Sequence, residues 1–338
     1  VAVKSEPVGA AKTTVSIAVP IPDHSGPVAT TAEPVNAEVV FVLDTTGSMG
    51  GLIEGAKQKI WSIATDIQKA NGGGKVKIGL IAYRDRGDQY ITKRTALTDD
   101  LDTIYGVLQS FRADGGGDGP ESVNQALNEA VTQFQWSDKA DTMKTIFLVG
   151  DFPPHMDYQD DVKYPESCKL AKQQNIVINT VQCGTESTTV PIWREIAALS
   201  DGDYAAIAQS GNMRVVATPY DVSIAEYSRK LDATVIPYGS MAAQKAVTSK
   251  LERAAASAPA VTAMRNEYKF AAAKEADSAV AVTGAGDLVQ EASNPEVLKN
   301  LKPGDLPERL RATTPEELQK IVAEKSAERA ALNQELAK

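Results

Sequence analysis

The chain has 338 residues, with 44 acidic against 35 basic ones and a formal net charge of −9. That balance argues against non-specific nucleic-acid binding and against an anionic membrane surface, both of which favour basic patches. Two cysteines and two histidines (His24 and His155) exclude a disulfide scaffold, a four-thiolate zinc site and a His-rich metal site. Any chemistry here runs on carboxylates, hydroxyls and backbone groups.

Residues 1–36 are rich in Val, Ala, Thr and Pro, with Pro7, Pro20, Pro22, Pro27 and Pro34 and one short alternating run from Thr13 to Val19. They read as an extended arm holding at most one strand. From 37 to 240, short apolar runs alternate with amphipathic segments. Glu38 to Leu43 is almost wholly apolar and reads as a buried strand. Residues 51–70 place Leu52, Ile53, Ala56, Ile60, Ile63 and Ile67 at helical spacing. Lys75 to Tyr83 reads as a strand. Ile91 to Leu97 alternates and reads as an edge strand. Helices are expected over 99–111 and 120–135, then a buried strand over 145–149 and a helix over 163–173. A strand over 176–182, a helix over 191–199, a short strand over 204–207 and a helix over 219–232 complete the series. This pattern predicts an α/β fold, a doubly wound, mostly parallel six-stranded sheet with helices on both faces.

Beyond 240 the composition shifts to Ala, Glu and Lys. Residues 241–275 read as helical, and Gly284, Gly286, Pro295, Pro303 and Pro307 break up residues 276–313. Thr314-Pro315-Glu316-Glu317 is a capping box with proline at the first helical position, so a helix should run to about 336. Its apolar stripe is thin, which suits a surface helix or one that packs on a partner. Residues 241–338 are therefore expected to form a mostly helical C-terminal extension. No stretch approaches the ~18 to 20 apolar residues of a membrane span.

The informative stretch is Asp44-Thr45-Thr46-Gly47-Ser48-Met49-Gly50, where a buried strand passes into a helix. Asp44, Thr46 and Ser48 stand at i, i+2 and i+4, so three small oxygen-bearing side chains can converge above the sheet edge. Helix capping is the competing reading of each residue taken singly. Two further loops should end on the same edge: Asp114-Gly115-Gly116-Gly117-Asp118-Gly119-Pro120-Glu121 and Gly150-Asp151-Phe152-Pro153-Pro154-His155. In a parallel sheet Asp44 and Asp151 then become neighbours, with the glycine loop over them. Converging carboxylates repel unless a cation or proton sits among them. Oxygen-only donors select a hard divalent ion, Mg²⁺ first, with Ca²⁺ and Mn²⁺ as alternatives.

These residues resemble a von Willebrand factor type A domain with its metal-ion-dependent adhesion site, over about residues 37–240. Asp44, Thr46 and Ser48 match the D-x-T-x-S string of that family, and Asp151 matches the aspartate after its fourth strand. The resemblance implies a Rossmann-like fold. It also implies a non-enzymatic role in adhesion or assembly, in which the cation takes an oxygen from a protein partner. Asp118 stands where the family carries a threonine. It either ligates the cation or pairs with Arg84 or Arg112. The strings G-G-G-D-G-P-E and D-F-P-P-H are similar to a bacterial branch of the family.

Weaker signals stand beside these. Arg86-Gly87-Asp88 reads as a chance tripeptide, and Asp85 and Asp88 as residues that rim the metal loops. His155 reads as a loop-fixing residue, and Asp157, Asp160 and Asp161 as a solvated acidic helix start. Gly72-Gly73-Gly74 joins a helix to a strand, the wrong order for a phosphate-binding loop. Cys168 and Cys183 are expected to pair in an oxidising compartment. A start without methionine and the Pro-rich arm add to that expectation of a periplasmic, secreted or cell-surface protein.

The expected protein is thus a divalent-cation-binding module using Asp44, Thr46, Ser48, Asp151 and Asp118, with a protein partner that includes a second copy of itself among the candidates. Two other readings compete. One is an Mg²⁺-dependent phosphatase or hydrolase phosphorylated on Asp44, and the other is a self-assembling scaffold with a vestigial metal site.

Overall fold

The computed structural model describes residues 35–337 except 73, 118, 212–214 and 276–279. The expected arm thus lies almost wholly outside the described residues, and so does Asp118.

Six strands form one sheet: β1 (Asn36–Asp44), β2 (Val76–Tyr83), β3 (Thr92–Thr98), β4 (Thr142–Gly150), β5 (Ile176–Cys183) and β6 (Tyr204–Ile207). Their spatial order is β3-β2-β1-β4-β5-β6, and β3 alone is antiparallel to its neighbour. β1 is buried along most of its length because helices cover both faces, which is why it reads as an apolar run. β3 alternates and carries Lys93 and Arg94, charges that discourage further pairing at this edge.

On one face lie α1 (Gly50–Ala70) and α2 (Leu101–Ser110), packed through Leu52, Ile60, Trp61, Ile104 and Leu108. On the other lie α3 (Val123–Thr132), α4 (Tyr164–Gln173) and α5 (Thr189–Leu199), packed through Leu127, Val131, Cys168, Trp193 and Ile196. α3 is shorter than the expected 120–135. Its first residues are instead held in the loops, where Glu121 bridges to Pro154.

α6 (Asp221–Asp232) leads into the C-terminal region. The expected helical stretch 241–275 is two helices, α7 (Met241–Ala256) and α8 (Pro259–Glu275). They part at Ser257-Ala258 because the residue before a proline disfavours helical backbone and proline suits a first helical position. α8 packs on α1 and α6. Val261 joins the α1 core, and the Tyr268 ring lies 5.8 Å from that of Trp61.

Short helices α9 (Leu288–Glu291) and α10 (Pro295–Asn300) precede α11 (Pro315–Leu336), whose capping box is present. The thin stripe of α11 packs on its own chain. Leu318 and Val322 meet Ile236 and Leu288, and buried Arg329 pairs with Asp287 at 2.8 Å.

The cysteines correct the sequence expectation: both are free and buried. Cys183 faces the α1 core with Val181, whereas Cys168 packs with Ile176 and Ile178 on the opposite side of the sheet.

The C-terminal region is tied to the α/β unit by buried charge. The Arg265 guanidinium donates to Asp102 at 2.8 Å, and Lys269 reaches the same carboxylate at 2.7 Å. Asp232 lies 3.5 Å from Arg265. These two cations hold the Asp102 carboxyl well below its usual range despite burial. Removing one partner of a buried pair leaves an uncompensated charge, which costs about 3–5 kcal/mol. Arg265→Ala should lower the unfolding free energy by about that amount in urea titrations. Lys69→Ala, which breaks the exposed pair to Glu267, should cost less than about 1 kcal/mol. Equal effects of the two changes would contradict this account.

Candidate functional site

The sheet runs outward from β1 in both directions, through β2 to β3 and through β4 to β6. The crevice beyond the carboxyl ends of β1 and β4 is therefore the switch point where ligands of open α/β sheets sit. Leu43 pairs with Val149, so Asp44 comes level with Gly150 and faces Asp151. Gly150 permits this approach. A Cβ there would stand 2.3 Å from the Tyr83 hydroxyl and 3.0 Å from the Asp44 Cβ.

Asp44 is fully buried and fixed on one side. Its Oδ1 accepts from the Thr46 N–H at 2.8 Å and from the Thr46 hydroxyl at 2.6 Å. The Ser48 hydroxyl lies 3.4 Å from that of Thr46, on a one-turn 3₁₀ segment, and Ser48 is exposed. Asp151 is also buried, and its Oδ2 accepts from the Gln209 amide at 2.8 Å. The same amide donates to the Ser48 carbonyl at 3.2 Å. Each carboxylate thus has one oxygen engaged. The other oxygens, Asp44 Oδ2 and Asp151 Oδ1, are buried with no hydrogen-bond partner.

The glycine loop arches over this corner. The Gly47 N–H donates to the Gly115 carbonyl at 3.1 Å, and the Asp114 N–H to the Thr45 carbonyl at 3.1 Å. Gly115 has φ +77°, and a Cβ there would meet the Asp88 carboxylate at 2.3 Å. Asp88 in turn accepts from the Gly116 N–H at 3.0 Å. Arg84 staples three segments: its guanidinium donates to the Thr45 carbonyl at 3.2 Å and the Arg112 carbonyl at 2.7 Å, and lies 3.7 Å from Asp114.

Beside the site, Asp85 accepts from Ser122 at 2.9 Å and from the Tyr158 hydroxyl at 2.9 Å, with His155 Nε2 3.4 Å away. His155 stacks on Tyr158 at 4.1 Å and meets Asp157 at 2.8 Å, the loop-fixing role expected for it. Arg86 lies over Tyr158 and pairs with Asp160 and Asp161. Those acids precede α4 and hold this arginine, more than the solvated helix start expected. Both ends of the R-G-D string are turned inward, Arg86 to these acids and Asp88 to the glycine loop.

The electrostatics follow from burial. It pushes the Asp44 carboxyl up to about 7; the two Thr46 hydrogen bonds pull it down, and the nearby Asp151 carboxylate pushes it up again. Glu121 is pushed up to about 9 by burial and then by Asp44, Asp85, Asp151 and Asp88. Burial, with Asp44 next, also raises the Tyr83 phenol.

The structure therefore brings Asp44, Thr46, Ser48 and Asp151 together. Sequence reasoning assigns no role to Glu121, Tyr83 or Gln209. Among the described residues, no group of three or more His, Cys, Asp or Glu side chains is arranged to hold a metal ion. The donor set fits a hard cation in another way: two carboxylates, each with a spare buried oxygen, beside an exposed hydroxyl.

Residues 38–218 match the family model of the von Willebrand factor A domain. An ariadne-like RING finger protein of Acanthamoeba polyphaga mimivirus is 29% identical over 118 residues, which are 35% of this chain and only 11% of that relative. Among solved structures, the VWA domain of SpRpn10 is similar with a TM-score of 0.40 and 15% identity, covering 54% of this chain and 100% of that one. Proximal thread matrix protein 1 from the mussel byssus gives a TM-score of 0.39 and 15% identity, covering 52% and 42%.

The raised carboxyls fix a pH dependence. In chelator, the folded chain keeps protons on Asp44 and Glu121 that the unfolded chain, with values of 3.8 and 4.5, releases. The folded state then binds more protons, so stability falls as pH rises through about 7 and on to about 9. Urea midpoints in EDTA should drop from about pH 5 to about pH 7 and again to about pH 9, and Asp44→Asn should flatten the first step. Midpoints that rise over this range would contradict the assignment.

Proposed function

The chain belongs to the von Willebrand factor A domain family, and from that premise we propose a binding module, not a catalyst, that engages a protein partner through a divalent cation. Domains of this family serve protein interaction and assembly. In this reading Asp44, Ser48 and Asp151 hold the cation, and Thr46 both orients Asp44 and offers its own hydroxyl oxygen. Asp118, in the glycine-rich segment 114–121, stays a candidate ligand.

The supporting observation is the pair of buried, unpartnered oxygens, Asp44 Oδ2 and Asp151 Oδ1. A buried carboxylate oxygen without a donor is costly, and two facing carboxylates repel. A hard cation between them removes both costs and leaves the neutral, exposed Ser48 hydroxyl to complete the inner side. Mg²⁺ is the first choice, with Ca²⁺ and Mn²⁺ as alternatives. Such an ion would supply a Lewis-acidic contact for an oxygen of the partner. Gln209 closes the site on the β6 side and holds Asp151 so that its spare oxygen stays turned towards Asp44. A second copy of this chain is a candidate partner.

Titration calorimetry with Mg²⁺ should give a saturable isotherm for the full chain and none for Asp44→Ala. Sedimentation with Mg²⁺ and with EDTA then reports whether self-association depends on the ion. Identical isotherms for the two chains would overturn the cation-site reading.

A further inference from the structure

We propose that residues 13–19, Thr-Thr-Val-Ser-Ile-Ala-Val, add to the sheet as an edge strand that runs antiparallel to β6 of the same chain. The ground is the open backbone edge of β6, together with the pattern and reach of that segment.

β6 ends the strand order, and no strand among the described residues pairs with its outer side. The Thr180 N–H donates to the Asp203 carbonyl and the Gly184 N–H to the Ile207 carbonyl, each at 2.9 Å. Alternation along the strand then turns the N–H and C=O groups of Tyr204 and Ala206 away from β5. Ala206 is exposed and its three neighbours in β6 are half-buried, whereas β5 is buried along most of its length. Tyr-Ala-Ala-Ile carries no charge and no proline, the features that blunt an edge against pairing. The opposite edge is blunted. In β3, Lys93 and Arg94 are exposed, and residues 13–19 hold no carboxylate to meet them.

Val15, Ile17 and Val19 alternate with Thr14, Ser16 and Ala18, the pattern of a strand with one covered face. Val35 directly precedes β1, so the chain enters the sheet at the end where β1, β4, β5 and β6 all begin. A strand antiparallel to β6 finishes at that same end, which puts Val19 on the side of Val35. A position beyond β6 lies four strand spacings from β1, about 19 Å at ~4.8 Å each. Residues 20–34, with Pro20, Pro22, Pro27 and Pro34, span up to about 50 Å at about 3.1 Å per residue. The β6 strand of a second copy, a rival occupant, offers four residues to pair against seven here. Gln209 follows β6 by two residues, so a strand that fixes β6 also steadies the amide that holds Asp151.

Amide hydrogen exchange of the full chain in EDTA tests this without involving the cation site. The variant carries both Ser16→Pro and Ile17→Pro. Adjacent residues of a strand turn their N–H groups to opposite sides, so one of the two prolines must remove a bond to β6. In the wild type the Tyr204 and Ala206 amides should be protected, and in the variant they should exchange at least about 10-fold faster. The Ala205 and Ile207 amides, turned to β5, should stay protected in both chains. Tyr204 and Ala206 amides that exchange at the rate of free amides in the wild type, or equally in both chains, would overturn the proposal. A response at β3 in place of β6 would overturn it as the wrong edge. Protection that grows with chain concentration would overturn it in favour of the arm of a second copy.

Discussion

Two carboxylates are forced to face each other in a buried corner, and the rest of the site is arranged around that conflict. Asp44 ends β1 and Asp151 follows the last residue of the adjacent parallel strand β4, so sheet register brings their two loops side by side. Thr46 and Gln209 each satisfy one oxygen of the pair and leave the other spare. Removing the remaining unfavourable energy takes a proton or a cation. The raised Asp44 carboxyl is the protonated solution; a hard divalent ion is the other.

The surrounding loops keep that corner from relaxing apart. Arg84 holds the Thr45 and Arg112 carbonyls, and Asp88 ties the glycine loop back to the turn after β2. The C-terminal region adds rigidity from behind. α8 covers α1, the helix that starts two residues after Ser48, and the Asp102–Arg265–Lys269 cluster locks that layer. Groups held in place this way would lower the ordering cost of binding at the site.

The alternation of strands and helices was legible because buried parallel strands read as apolar runs. The D-x-T-x-S string was legible because its three oxygens are local. Asp151 was legible because parallel strand ends lie side by side. Other residues were hidden by physics of a different range. Tyr83 sits inside an apolar run, and Gln209 reaches Asp151 only through tertiary placement. Glu121 stands in the G-G-G-D-G-P-E string, but its significance lies in burial, which sequence does not display. The cysteines were misread although strand parity held the answer: Val181 and Cys183 alternate away from Ile176 and Ile178. Arg265 and Asp102 look like solvated charges in sequence, yet they are the buried tie between layers.

The most direct test of the central claim is a crystal structure of the full chain grown with Mn²⁺, with data collected at the manganese edge. One strong anomalous peak is expected between Asp44 Oδ2 and Asp151 Oδ1, within coordination distance of the Ser48 hydroxyl. A map with no peak there, or with its strongest peak at Asp160 and Asp161 instead, would contradict it.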